Sequence, residues 1–321
     1  MKCLLFFCSL ILFSACSPVQ EESIRLVIAA EGRKQVAIAD AEGNVLWKHP
    51  ITQVHDVQLL ENGNILVNNG WTKVMELDLA GKTVWEYDSS KTEGNNGEKI
   101  EIHAFQRLAN GNTMVAESGI SRIVEVDKDG ALVSEVPLQV KEPHPHRDTR
   151  LVRKLDNGDY LVSHEGEERV ARYNPSGDIV WNYQVPLFGK ERAKGHGPEG
   201  YGAKTFSAIV LKNGNYLIAT GNGHSVLEVT PDKEIVWHLK QDEIPGVTLA
   251  WVTTLQELPN GNLVIGNCHA GEDNPQIVEI TRDKELVWSW HNWTEFGNAL
   301  SNSLVVDGAI AEHLLMRISA E

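Results

Sequence analysis

The sequence predicts an all-β fold: a single six-bladed β-propeller of four-stranded blades, closed by pairing its N- and C-terminal strands. Three observations carry this. An Asn-Gly turn recurs as Asn62-Gly63, Asn110-Gly111, Asn157-Gly158, Asn213-Gly214 and Asn260-Gly261, with a degenerate sixth at Asp307-Gly308, at spacings of 48, 47, 56, 47 and 47 residues. A tryptophan recurs behind an aliphatic residue in Leu46-Trp47, Val84-Trp85, Val180-Trp181, Val236-Trp237 and Val287-Trp288. Short alternating apolar runs flank each turn, as in Val57-Gln58-Leu59-Leu60 and Ile65-Leu66-Val67. A repeat of about 45 residues with four short strands is a propeller blade.

From the N-terminus, Met1-Lys2, the apolar run 4–13 and Ser14-Ala15-Cys16 read as a secretion signal over residues 1–15. The run is shorter than the ~20 apolar residues a bilayer span needs. Phe13-Ser14-Ala15-Cys16 resembles the bacterial lipobox. That resemblance implies a lipoprotein, acylated by palmitate-type chains on Cys16 and lipid-anchored to the cell envelope on the periplasmic or surface face of the outer membrane. Residues 16–23 are polar and read as a tether, and residues 24–321 form the propeller domain. A formal charge of −15 excludes nucleic acid as a partner and disfavours adsorption on anionic lipid, so membrane contact is by the anchor alone. Cys3 and Cys8 leave with the signal and Cys16 takes the lipid, so Cys268 has no intramolecular disulfide partner. Stability must come from an apolar core, which a chain of this length with 42% hydrophobic residues can supply.

Within the domain, residues 25–47 supply strands B, C and D of blade 1, and five complete blades run over 54–291. The C-terminal segment 298–306 supplies the missing innermost strand A, which removes any bare sheet edge. Each Asn-Gly is expected to form a two-residue type I′ turn between strands A and B. A second turn, such as Asp78-Leu79-Ala80-Gly81 or Asp127-Lys128-Asp129-Gly130, joins C to D. The tryptophans of strand D are expected between neighbouring blades; blade 3 has Ser134 in that place. The glycine-rich connection 187–203 accounts for the long spacing and reads as a lid or binding loop, whereas 89–101 reads as plain loop. The apolar segment 309–316 reads as an added strand on the closing blade. The molecule is expected to be a monomer.

The stretch His55-Asp56-Val57-Gln58-Leu59-Leu60-Glu61-Asn62-Gly63-Asn64, followed by Gly-x-x-Val-Trp, resembles the quinone-enzyme-like propeller superfamily and, within it, bacterial arylsulfotransferases. The resemblance implies the propeller scaffold. It also implies group transfer through a strand-start histidine, His55 or His103, with Arg150 clamping the charge on the transferred group.

Strand direction assigns each residue to a face. His55, His103 and Arg150 sit at the starts of strands A, seven residues before their turns; His144, His146 and Arg147 lie in the connection to blade 4; His164, His224 and His269 lie in B–C turns. With His196, eight of the twelve histidines gather on one end of the ring. Convergent polar groups with aromatic walls mark a ligand site. His144, His146, Arg147, Lys204, Trp71, Trp251, His224 and His269 are therefore the candidate ligand-binding set. Three chemistries fit: binding of an anionic or carbohydrate-like small molecule, a glycan, or a periplasmic or surface protein; group transfer at His55, His103 and Arg150; or a divalent metal on His55, His103 and His146 with Asp148 or Glu165, as in a metal-dependent polysaccharide lyase or hydrolase. No other cofactor is implied.

Overall fold

The computed structural model describes residues 24–32, 34–92 and 94–320. The signal, the tether and Cys16 lie outside the described residues. Six four-stranded antiparallel sheets are arranged as blades. Blade 1 is the closing blade: its inner strand Leu300–Asp307 pairs with Arg25–Glu31, which is followed by Gln35–Asp40 and Val45–Pro50. Blades 2 to 6 occupy residues 57–88, 101–137, 152–184, 207–239 and 251–290.

Strands B and C lie between neighbouring blades and are buried on both faces, which is why they read as unbroken apolar runs such as Tyr216–Ala219 and Ile277–Ile280. The outer strands alternate, because one face meets the next blade and the other meets water. The core is a series of seams between blades. Trp47, Trp85, Trp181 and Trp237 each pack into one seam and donate Nε1–H to a C–D turn carbonyl of the next blade: Leu79, Lys128, Pro231 and Arg282, at 2.7–2.9 Å. At the seam between blades 6 and 1, Trp288 packs as expected but Trp290 makes the bond, to the Asp40 carbonyl at 3.0 Å. Blade 3 replaces its missing indole twice over. Tyr160 and Tyr173 fill the seam with blade 4, and Gln139 donates to the Gly177 carbonyl at 2.9 Å.

Two expectations are corrected. The Asn-Gly turns are three-residue loops rather than two-residue type I′ turns: Gly63 N–H donates to the Leu60 carbonyl, and Leu60 N–H to the Asn64 carbonyl. Only the glycine has positive φ, +78° at Gly63 and +86° to +90° at the four others. The Asn62 side chain accepts from the Asn64 N–H at 3.0 Å, which lets asparagine stay at negative φ; Asn110, Asn157, Asn213 and Asn260 repeat the bond. The segment after residue 308 is a helix, Ala309–Ala320, not a strand. The closing blade already has its four strands, and the helix instead packs Ala311 and Leu314 against the apolar seam of blades 1 and 2.

Candidate functional site

The ends of strands A, the B–C turns and the D-to-A connections surround a cavity of about 510 Å³ at one mouth of the ring. Strand A of blade 3, Glu101–Arg107, holds Glu101 and His103. His103 is an extra residue in the ladder, because Ile102 pairs with Glu117 and Ala104 with Ala116. Similar irregularities fall at Thr253-Thr254 in blade 6 and at Ser301 in blade 1. Bulges re-aim side chains, and all three occur where the inner strands meet the mouth.

One wall is built from blades 2 to 4. The His55 ring stacks on Trp71, with centroids 5.2 Å apart and planes at 19°. It lies 4.5 Å from the His103 ring and 5.8 Å from His146; His103 and His146 are 5.2 Å apart. His103 is fully buried. Its Nδ1 is 2.7 Å from the Thr149 carbonyl, and its Nε2 is 3.1 Å from Glu101 Oε2. His146 Nδ1 approaches the same carboxylate oxygen at 2.6 Å. Burial, with Arg150 nearby, pushes the His103 imidazole down to about 4. Burial, with His103 and Arg150 beside it, takes His55 well below its usual value. Burial works against the Glu101 carboxylate, but the two imidazoles on Oε2 hold it down to about 2. His55 Nε2 is buried and has no hydrogen-bond partner among the described residues.

The opposite wall comes from blades 5 and 6. His196, carried by the connection 187–203, stacks on Trp251 at 5.2 Å and lies 5.5 Å from His269. Lys204 Nζ sits 5.7 Å above the Trp251 ring. The connection is tied down: Ala193 and Tyr201 form a β-bridge, Tyr201 Oη donates to the Leu187 carbonyl at 3.0 Å, and His224 holds the Gly200 carbonyl. The floor contains the buried ion pair of Arg150 with Glu165, whose other oxygen is 4.0 Å from Lys204 Nζ. Phe206 lies under the Arg150 guanidinium at 5.8 Å.

One residue further along five of the six inner strands is a second layer: Asp56, Leu151, Ser207, Thr254 and Asn302 line a separate space of about 150 Å³ that shares no residue with the mouth cavity. Arg153 reaches past blade 3 from blade 4 to Asp56 in blade 2, with two bonds of 2.7 and 2.8 Å.

His55, His146, Arg147, Arg150, Lys204, Trp71, Trp251, His269 and His196 line the mouth, and His103 stands directly behind His55. Of the expected eight histidines, three more lie away from it. His144 lies in an outer groove between blades 3 and 4, shared with Arg147. His224 is buried between the Ala250 and Gly200 carbonyls, where it anchors the long connection instead of facing a ligand. His164 is buried between the Asp148 carbonyl and Tyr173 Oη. Of the extra acids expected near the histidines, Asp148 is occupied by Gly119 N–H and Ser121 Oγ, and Glu165 by Arg150. The acid that meets the imidazoles is Glu101, within a segment read as plain loop. The overlooked signal was the Glu-x-His spacing, since alternate residues of a strand share a face.

A family model described as outer membrane protein assembly factor BamB matches residues 32–290. The chain belongs to this BamB family of PQQ-like repeats. No curated protein matches it. Among solved structures, a BamB-family chain of this shape is similar to a protein of unknown function from Bacteroides caccae, with 23% identity, a TM-score of 0.73, and coverage of 89% of this chain and 99% of that one. It is also similar to a streptogramin B lyase, at 13% identity and TM-score 0.56 over 91% and 96% of the two chains. A virginiamycin B lyase from Staphylococcus aureus gives 13% identity and 0.54 over 85% and 86%. At these identities the likeness is one of fold. No helix among the described residues is long and apolar enough to cross a membrane.

Proposed function

We propose that this BamB-family propeller binds a small anionic ligand bearing a ring, with an acidic saccharide as the best chemical fit, in the mouth cavity. The observation that carries the reading is a positive floor in an acidic body: among the described residues, Arg147, Arg150 and Lys204 line the cavity with Glu165 as the one acid of the lining and Glu101 behind His146, in a chain of net charge −15. The walls complete the fit. Trp71 and Trp251 offer broad apolar faces for a sugar ring, and the histidines and the lysine supply donors. Low dielectric around a half-enclosed cation strengthens its attraction for a carboxylate.

Calorimetry with trigalacturonate and its methyl-esterified counterpart tests this. The acid binds saturably, and Lys204→Met or Trp251→Ala weakens it about tenfold, the equivalent of roughly 1.4 kcal/mol. Equal affinity for acid and ester, or no saturable binding of either, defeats the proposal. The family's assembly-factor description suggests a periplasmic or surface protein as the other occupant, inserting an acidic side chain into the same cavity. Light scattering of the bound species, prepared from envelope extract, separates a bound protein from a bound saccharide.

A second reading, group transfer of the arylsulfotransferase kind, draws support from the unpartnered ring nitrogen of His55 close to Arg150. Turnover of a chromogenic phenyl sulfate, abolished in His55→Ala, is its test. We further propose that the protein works as a monomer on the cell envelope, held by acyl chains on Cys16. Cys16→Ser then moves it from the membrane fraction to the soluble fraction; retention with the membrane in that variant refutes the anchor.

A further inference from the structure

We infer that Glu101, His103 and His146, joined by His55 as fourth ligand, hold a divalent transition-metal ion of zinc-like preference. The ligand atoms of Glu101, His103 and His146 lie within 4.8 Å of one another. Three imidazoles around one tetrahedral ion have ring centroids about 5 Å apart, given metal–nitrogen distances of about 2 Å. The observed separations of His55, His103 and His146 are 4.5, 5.2 and 5.8 Å.

The donor and acceptor count makes the stronger argument. A carbonyl oxygen only accepts, so the Thr149 carbonyl fixes the His103 proton on Nδ1. Nε2 of the buried ring then faces a carboxylate oxygen at 3.1 Å. A ring nitrogen and a carboxylate oxygen that close need positive charge between them, a proton or a metal ion. His146 Nδ1 turns to the same oxygen, and the buried Nε2 of His55 has no hydrogen-bond partner among the described residues. One cation bound by the set resolves all of these at once. The His103 arrangement is also that of a metal ligand: one ring nitrogen toward the site, the other N–H donated to a backbone carbonyl that fixes tautomer and orientation. Three nitrogens to one carboxylate favour zinc and its neighbours over calcium or magnesium, which select oxygen. The ion would stand beside Trp71 at the edge of the mouth cavity, yet the inference does not depend on what the cavity binds.

The test is chelator-stripped full-length protein dialysed against Zn²⁺, with Co²⁺ as the spectroscopic probe. One equivalent of zinc binds with Kd below about 1 μM, cobalt gives the intense visible absorption of a tetrahedral site, and zinc raises the melting temperature. The His146 side chain is 43% exposed, so His146→Ala leaves the fold intact, and Glu101→Gln preserves shape. Each variant weakens zinc binding at least about tenfold and loses the thermal shift. A site in which a proton alone bridges the imidazoles and Glu101 gives no saturable uptake up to about 0.1 mM zinc, which overturns the inference. Uptake that is unchanged in both variants overturns it as well, since the ion then sits elsewhere.

Discussion

His164 illustrates how an imidazole behaves once the ring has closed over it. Its Nδ1 meets the Asp148 carbonyl at 2.6 Å and its Nε2 meets Tyr173 Oη at 2.9 Å. Burial, with Arg169 adding to it, pushes the ring from its ordinary 6.5 down to about 3. Between those values the unfolded chain binds a proton that the folded chain refuses, so stability falls as pH drops below 6.5 and is level, for this group, above it. The slope is about 1.4 kcal/mol per pH unit. Urea unfolding at pH 7 and at pH 4.5 measures it, and His164→Gln flattens the difference; equal slopes in both proteins count against the assignment. Such details bound what the sequence made legible. Strand direction was enough to bring His55, His103 and His146 to one mouth, because it depends only on the repeat. It could not separate them from His164 and His224, since strand direction sets the end of the ring but not which way a side chain turns there: His224 at φ +54° is buried, whereas His269 at +60° lines the mouth. Glu101 escaped notice because the polar run ahead of it masked the start of a strand.

The indole latch is the element that turns separate sheets into one ring. Each blade sends an N–H across the seam to the next blade's outer turn, so the outer strands are tied at a point where packing alone leaves them half exposed. Trp237→Phe keeps most of the apolar contact and removes the bond to the Arg282 carbonyl. It is expected to cost about 1 kcal/mol in chemical denaturation, with the fold unchanged by circular dichroism. A cost near zero would show that water replaces the indole freely. The tryptophan repeat was visible in the sequence because it is periodic. The transfer of the latch to Trp290 in blade 6, and the stand-in of Gln139 at blade 3, were not, because they follow from a seam's shape and not from its register. The three-residue turns were likewise disguised: Asn-Gly serves both turn types, and the choice rests on a side-chain bond to the backbone.

For the whole molecule, the decisive contact is the pairing of Leu300–Asp307 with Arg25–Glu31, which joins the two ends of the chain. The ring is then only as stable as that seam. Ending the chain at residue 299 removes an entire inner strand and exposes two blades' apolar faces; loss of cooperative unfolding and aggregation on size exclusion are expected. Ending it at residue 308 removes only the helix that packs Ala311 and Leu314 over the seam of blades 1 and 2, and a folded, less stable monomer is expected. If the shorter chain is as well folded as the longer, ring closure is not what holds the propeller. The closure was legible from the deficit of one strand at the N-terminus and the surplus of one at the C-terminus. The helix was not, since a short apolar segment reads equally as either element.

The bond between Asp56 and Arg153 has a consequence for traffic. The ring has a second layer directly beneath its mouth, and within that layer a bidentate bridge joins blades 2 and 4 past blade 3. The bridge narrows the way through the ring below the cavity. If the mouth takes a saccharide as proposed, a bound molecule would leave past His196 and the tied-down connection that carries it. A long polymer would then be engaged by its terminus.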